Sequence, residues 1–351
     1  MKLFQCQFCG QLVYFENRIC EGCGHTLGYL PDNATMSAME PDGSDWWALA
    51  EPESRYRFCF NAQYDVCNWL VAADATEPFC LACRHNQTIP DLSLPDNLLR
   101  WRKLEVAKHR LFYSLLRLGL PLVNRIEDPE QGLAFDFVAE PRTPDAEPVM
   151  TGHDNGLITL SLKEADDSER ERTREDMNES YRTLLGHFRH EIGHYYWDRL
   201  VAEKGRLDEF RACFGDERQD YGEALKRHYA EGPPVNWQNT YVSAYATAHP
   251  WEDFAETWAH YLHIVDSLET AGAFGLQVHP RIDKTGDFHT EVNFDPHHAR
   301  SISQLVDAWL PVTFAVNSLN RSMGHPDLYP FILSPTVIEK LGKIHGVVHG
   351  K

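Results

Sequence analysis

The chain lacks any run of about 18 consecutive apolar residues, the length a membrane-spanning helix needs. Its best stretch, residues 305–319, is broken by Asp307, Pro311 and Asn317, so no membrane partner is expected. Positive charge is also scarce: 33 Lys and Arg face 52 Asp and Glu, a net charge of −19. That balance repels phosphate backbones and anionic lipid and argues against a general nucleic-acid binder. The opening residues, MKLFQCQFCG, have no apolar core of the roughly 7–15 residues a signal peptide carries. A cytoplasmic, reducing location is therefore expected, with cysteines as thiols or metal ligands rather than disulfides. Cysteine itself is nearly missing from the last three quarters of the chain, where Cys213 stands alone.

What is present is a foldable composition. Of 351 residues, 43% are hydrophobic and 24% charged, typical of folded proteins, and the length suits about two domains. Eight of the nine cysteines fall within the first 83 residues. They include three C-x-x-C pairs (Cys6/Cys9, Cys20/Cys23, Cys80/Cys83), where chance predicts about 0.2. The first two read CQFCG and CEGCG, and in a zinc knuckle a glycine after the second thiolate lets the backbone turn beneath the sulfurs. Cys6, Cys9, Cys20 and Cys23 are therefore expected to hold one structural zinc, and Cys59, Cys67, Cys80 and Cys83 a second. In the second set His85 is an alternative to Cys59, and Cys59 and Cys67 also suit a simple apolar core. Residues 1–95 hold five basic and twelve acidic residues, a balance of −7. This module is thus expected to dock a protein, or its own neighbouring domain, rather than nucleic acid.

Along the chain, residues 28–54 are rich in turn formers and acids and read as a linker. The prolines of IPDLSLPD at 89–96 suggest a domain boundary, dividing residues 1–95 from 96–351. An amphipathic helix is predicted from Asn97 to Gly119 and strands at 133–139 and 157–162, with loops at 141–148 and 272–287.

The chemistry concentrates in HEIGH at 190–194. On a helix, Tyr181, Leu185, Phe188, Ile192 and Tyr195 share one side, while His190 and His194 share the other, stacked one turn apart so that both reach one ion. Glu191 lies about 100° round, the position of a general base. Zinc needs a third protein ligand, and residues 241–264 offer one: Pro250 opens a helix whose Phe254, Trp258, Tyr261 and Val265 form one face and whose Glu252, Glu256 and His263 lie nearly opposite. Spacing leaves Glu252, Asp253 and Glu256 all eligible.

HEIGH with a distant glutamate on a second helix resembles the gluzincin metallopeptidases, and AYATAHPWEDFAETW is similar to the corresponding segment of lethal-factor-type metalloproteases. More broadly the chain resembles bacterial zinc-binding metallopeptidases with an N-terminal zinc ribbon. The matching pieces are the C-x-x-C pairs, CNWLVAADATEPFCLACRHNQTIPDL, LLGHFRHEIGHYYWD, HPWEDFAETWAHYLH and SLNRSMGHPDLYPFILS. The resemblance implies His190, His194 and Glu252 as ligands of a catalytic zinc and Glu191 as base. It further implies Tyr245 as hydrogen-bond donor to the oxyanion, and Glu256 as a carboxylate supporting a ligating histidine.

Together these features predict an α+β protein, with an N-terminal cysteine-rich zinc-ribbon module followed by a largely helical HExxH metallopeptidase domain with a small sheet. The expected activity is zinc-dependent peptide-bond hydrolysis with three zinc ions, one catalytic and two structural. A non-catalytic zinc-containing adaptor and a hydrolase of a non-peptide amide are the alternatives.

Overall fold

The computed structural model describes residues 1–140, 149, 151–176 and 182–350. The loop expected at 141–148 and Tyr181 of the expected apolar face lie outside them. The architecture is α+β, and the chain packs as two compact units, Met1–Arg170 and Glu171–Lys351.

In the first unit, β1 (Phe4–Gln5) pairs with β2 (Leu12–Val13) around the first cysteine pair. Five antiparallel strands follow: β3 (Thr26–Leu30), β4 (Thr35–Asp42), β5 (Asp45–Ala48), β6 (Glu51–Phe58) and β7 (Leu70–Ala72). Residues 28–54 are therefore not a linker. Pro31, Asp32, Asn33, Gly43 and Ser44 sit at hairpin turns, whereas TLGYL, TMSAMEPD and DWWA form paired strands that take in Gly28 and Pro41 as well. The sheet curls until β7 meets β3 again, where the Tyr29 amide donates to the Asn68 carbonyl at 2.9 Å. Phe15, Tyr29, Trp69 and Tyr113 pack ring on ring inside, with Phe15 and Tyr29 centroids 4.7 Å apart.

A second sheet has the order β10-β11-β9-β8, from β8 (Asn86–Thr88), β9 (Ala134–Val138), β10 (Gly152–Asp154) and β11 (Leu157–Ser161). The two strands expected from the sequence, β9 and β11, lie parallel. Helix α1 (Pro95–Arg117) starts on a proline that needs no amide partner and stops before Gly119. Its buried side carries Trp101, Leu104, Leu111 and Phe112, and also an ion pair with no solvent exposure: Lys108 Nζ lies 2.9 Å from Glu105 Oε1.

After α2 (Asp167–Asp176), the second unit is helical: α3 (Leu184–Trp197), α4 (Leu207–Phe214), α5 (Tyr221–Glu231), α6 (Pro250–Ala273), α7 (Ile302–Ser322) and α8 (Pro335–Val348). A short hairpin of β12 (Gln277–Val278) and β13 (Thr290–Glu291) occupies part of the loop expected at 272–287, which begins only after α6 ends at Ala273. Helix α6 is central and packs against α3, α4, α7 and α8. The sequence suggested apolar backs and polar fronts for α3 and α6. Instead the polar fronts are buried against each other: Phe254, Trp258, Tyr261 and Val265 fill the core on one side of α6, and Glu252 is sealed on the other. Gly193 allows this approach, because a Cβ there would stand only 3.0 Å from the Ala255 Cα. Arg189 pins the same pair of helices, reaching both His263 and Asp266 on α6.

Candidate metal centres and catalytic site

Each cysteine set expected from the sequence converges in the first unit. Sulfurs of Cys6 and Cys23 are 3.6 Å apart, those of Cys9 and Cys20 3.5 Å, and those of Cys67 and Cys80 3.7 Å. Zn–S bonds of 2.3 Å in a tetrahedron give sulfur separations of about 3.8 Å, so both sets match an ion-holding geometry. Gly10 and Gly24 take left-handed φ values of +74° and +80°, and each amide donates to the carbonyl of the first cysteine of its pair at 2.8 Å. None of the nine cysteines forms a disulfide.

Cys59, Cys67, Cys80 and Cys83 are all buried and gather within one metal-sized space. Backbone amides of Trp69, Cys80 and Cys83 point at the sulfurs of Cys67, Cys59 and Cys80, at 3.3, 3.3 and 3.4 Å. His85, considered as an alternative to Cys59, turns away and holds the Leu133 carbonyl at 2.9 Å through Nδ1. The imidazole near this cluster is that of His109 on α1, with Nε2 3.7 Å from Cys83 Sγ.

In the second unit α3 and α6 bring His190, His194 and Glu252 together. Thr183 caps α3 through the Gly186 amide, and His249 caps α6 through the Trp251 amide, so both helices start at defined residues. The two Nε2 atoms are 3.2 Å apart, and Glu252 Oε2 lies 2.9 Å from that of His190 and 3.5 Å from that of His194. Zn–N bonds of 2.0–2.1 Å in a tetrahedron give edges of about 3.3 Å. Glu252 Oε2 is buried without a hydrogen bond of its own, and three converging donors of this kind suit a divalent cation.

The surrounding groups orient this set. His190 Nδ1 meets Glu256 Oε1 at 2.7 Å, and the Ser243 hydroxyl donates to Glu256 Oε2 at 2.6 Å. The other ligand candidate, His194, lies under the Trp251 ring, centroids 4.0 Å apart. Tyr221 donates its hydroxyl to Glu252 Oε1 at 2.6 Å. Glu191, buried one residue beyond His190, pairs with His187 Nε2 at 3.2 Å, and the Tyr245 ring stands 5.7 Å from that of His190.

Electrostatics agree with a site built for positive charge. Burial opposes ionisation throughout, yet Glu252 and Glu256 raise the His190 pKa well above the imidazole norm. Against the same burial, His194 and His190 hold Glu252 well below the carboxylate range, and His190 lowers Glu256. Glu191 is likewise buried but lowered, chiefly by His187. Burial and then the Glu252 charge push Tyr245 well above an ordinary phenol, keeping its proton.

Every residue expected at this site lies in it or beside it, including Tyr245 and Glu256. Of the open choices for third donor, Asp253 points elsewhere, to Lys340 at 2.6 Å. Sequence reading missed Tyr221 and Ser243. Ser243 sits two residues before Tyr245 in the segment that leads into α6, but nothing in the spacing of Tyr221, 31 residues before Glu252, marks it.

A family model described as "Putative zinc-binding metallo-peptidase" matches residues 97–347, and a zinc-ribbon model matches residues 3–94. Among curated proteins, one from Mycobacterium bovis and two from strains of Mycobacterium tuberculosis are 43% identical over 99% of this chain and 95% of their own length. All three are named uncharacterized proteins. No solved structure matches the chain.

Proposed function

The chain belongs to the zinc-binding metallopeptidase family, and from that premise we propose that it hydrolyses peptide bonds at the His190, His194 and Glu252 site. The observation that carries this reading is the convergence of two imidazole nitrogens and one carboxylate oxygen, with a second carboxylate, Glu191, beside them and outside the donor set. A purely structural site has no need of that extra carboxylate. Zinc bound there supplies a Lewis acid and brings the pKa of its water to about 7. Glu191, held ionised by His187, takes the proton of the attacking water and delivers it to the leaving amine. Tyr245, protonated and beside His190, donates to the developing oxyanion. Glu256 accepts from His190 Nδ1 and so fixes which nitrogen faces the donor set. The arrangement of HEIGH and a later glutamate makes the site gluzincin-like, with a local likeness to lethal-factor-type enzymes.

The two cysteine sets serve structure, with one zinc in each and three ions per chain. The acidic first module takes a protein partner or packs on its own chain and has no affinity for nucleic acid. The protein works in the cytoplasm, and among the described residues no helix is long and apolar enough to cross a membrane.

The deciding experiment profiles cleavage of a proteome-derived peptide library by the zinc-loaded chain beside Glu191→Gln. Cleavage by the wild type alone supports the proposal. Turnover of small non-peptide amides without peptides would redirect it to another amide substrate. Inactivity of both proteins, with full zinc, would favour the adaptor.

A further inference from the structure

Tyr221 opens α5, and its position depends on contacts from both sides of it in the chain. Asp220 caps the helix, accepting the Glu223 amide at 2.9 Å. The preceding residue, Gln219, offers its carbonyl to His249 Nε2 at 3.2 Å, while His249 Nδ1 accepts the Trp251 amide at the start of α6. His249 thereby joins the first turn of α5 to that of α6. The Tyr221 ring stands edge-on to His249 and Trp251, with centroids 5.4 and 5.9 Å away. These contacts bring the hydroxyl to Glu252 Oε1 at 2.6 Å, with Tyr245 as its other hydrogen-bonding neighbour. The other oxygen, Oε2, faces the two histidine nitrogens. A carboxylate beside a divalent cation can bind through one oxygen or both, and a hydrogen bond to one oxygen favours ligation through the other.

We propose that Tyr221 is a positioning residue that holds Glu252 to ligation through Oε2 alone, leaving a coordination position free for chemistry. The inference rests on the metal site of the preceding section. Without the hydroxyl, Oε1 swings toward the ion and fills that position. Phenylalanine at 221 keeps the ring contacts and removes only this bond.

Cobalt(II) is the probe, because its visible bands are intense in four-coordinate sites and weaker in five-coordinate ones. The full chain keeps zinc in its cysteine sites, a mild chelator strips the histidine–glutamate site, and cobalt(II) is added. The spectrum of His190→Ala treated identically is subtracted. Tyr221→Phe should retain the wild-type circular dichroism, lose about half of the band intensity as the site becomes five-coordinate, and bind zinc roughly tenfold more weakly. Tyr241→Phe, whose ring lies against Lys340 and leaves the Glu252 bond intact, should keep the wild-type spectrum. A Tyr221→Phe spectrum and zinc affinity equal to wild type would overturn the proposal, as would an equal change in Tyr241→Phe. Wild-type protein taking up no more cobalt than His190→Ala would instead refute the metal site itself.

Discussion

The cysteine clusters of the first unit and the histidine–glutamate cluster of the second solve one problem in opposite ways. Each cysteine cluster collects four equivalent sulfurs from a short stretch, residues 6–23 or 59–83, and closes on itself. The other collects two imidazoles and one carboxylate from residues 190–252 on two helices and surrounds them with groups outside the donor set: Glu191, Tyr221, Tyr245 and Glu256. A closed tetrahedron stabilises a fold and does nothing more, whereas an incomplete one flanked by acid–base groups can bind and activate. The first unit carries both cysteine clusters beside its β-sheets, while the second builds its donor set onto a core of packed helices.

The sharpest break in that comparison is Cys80→Ser or Cys6→Ser. Structural zinc contributes about 10–16 kcal/mol of apparent binding energy in small domains. These variants should therefore lose the cooperative thermal transition of the first unit, followed by circular dichroism. His190→Ala should instead melt like wild type and contain one zinc fewer by elemental analysis, three in wild type against two.

Next in size are the carboxylates of the second unit. Glu252→Ala should remove the third zinc and all hydrolysis, because it deletes a converging donor. Glu191→Gln should keep three zinc ions and lose activity by about 10²–10⁴-fold, the usual share of a general base. Glu256→Gln should weaken zinc binding only by roughly 10–100-fold, as it touches His190 from behind. Competition with a zinc chelator separates these cases, and loss of metal from Glu256→Gln with retention in Glu252→Ala would exchange the two roles.

The smallest effect tests the helix crossing. Gly193→Ala puts a methyl against the Ala255 Cα, and overpacking of this kind costs about 1–3 kcal/mol. Denaturant unfolding should show that loss in the second unit, with the zinc content of the cysteine sites unchanged.

Much of this site was legible in the order of residues because helical spacing is local. His190 and His194 are one turn apart wherever an α-helix forms, and Cys6/Cys9 and Cys20/Cys23 belong to turns their own glycines permit. The α+β character and helix α1 also followed from periodicity and breakers. The misreading of residues 28–54 has a physical cause as well. Three hairpins put so many turn formers into a short stretch that their density outweighed the short strands between them, whose buried runs show no alternation to mark them.

The sequence by itself determined the donor types, their local spacing and the positions where glycine or proline had to stand, since these depend on bonds and dihedral angles within a few residues. Tertiary structure alone decided that both polar helix faces are buried and that Tyr221 reaches across to Glu252; spacing left Glu252 and Asp253 both eligible, and packing brings to the histidines the one that the resemblance implied. Such choices depend on the crossing of α3 with α6 at Gly193 and Ala255 and on the joint of α5 with α6 at His249. Packing sets those relations between segments distant in the chain, and no periodicity within either segment encodes them.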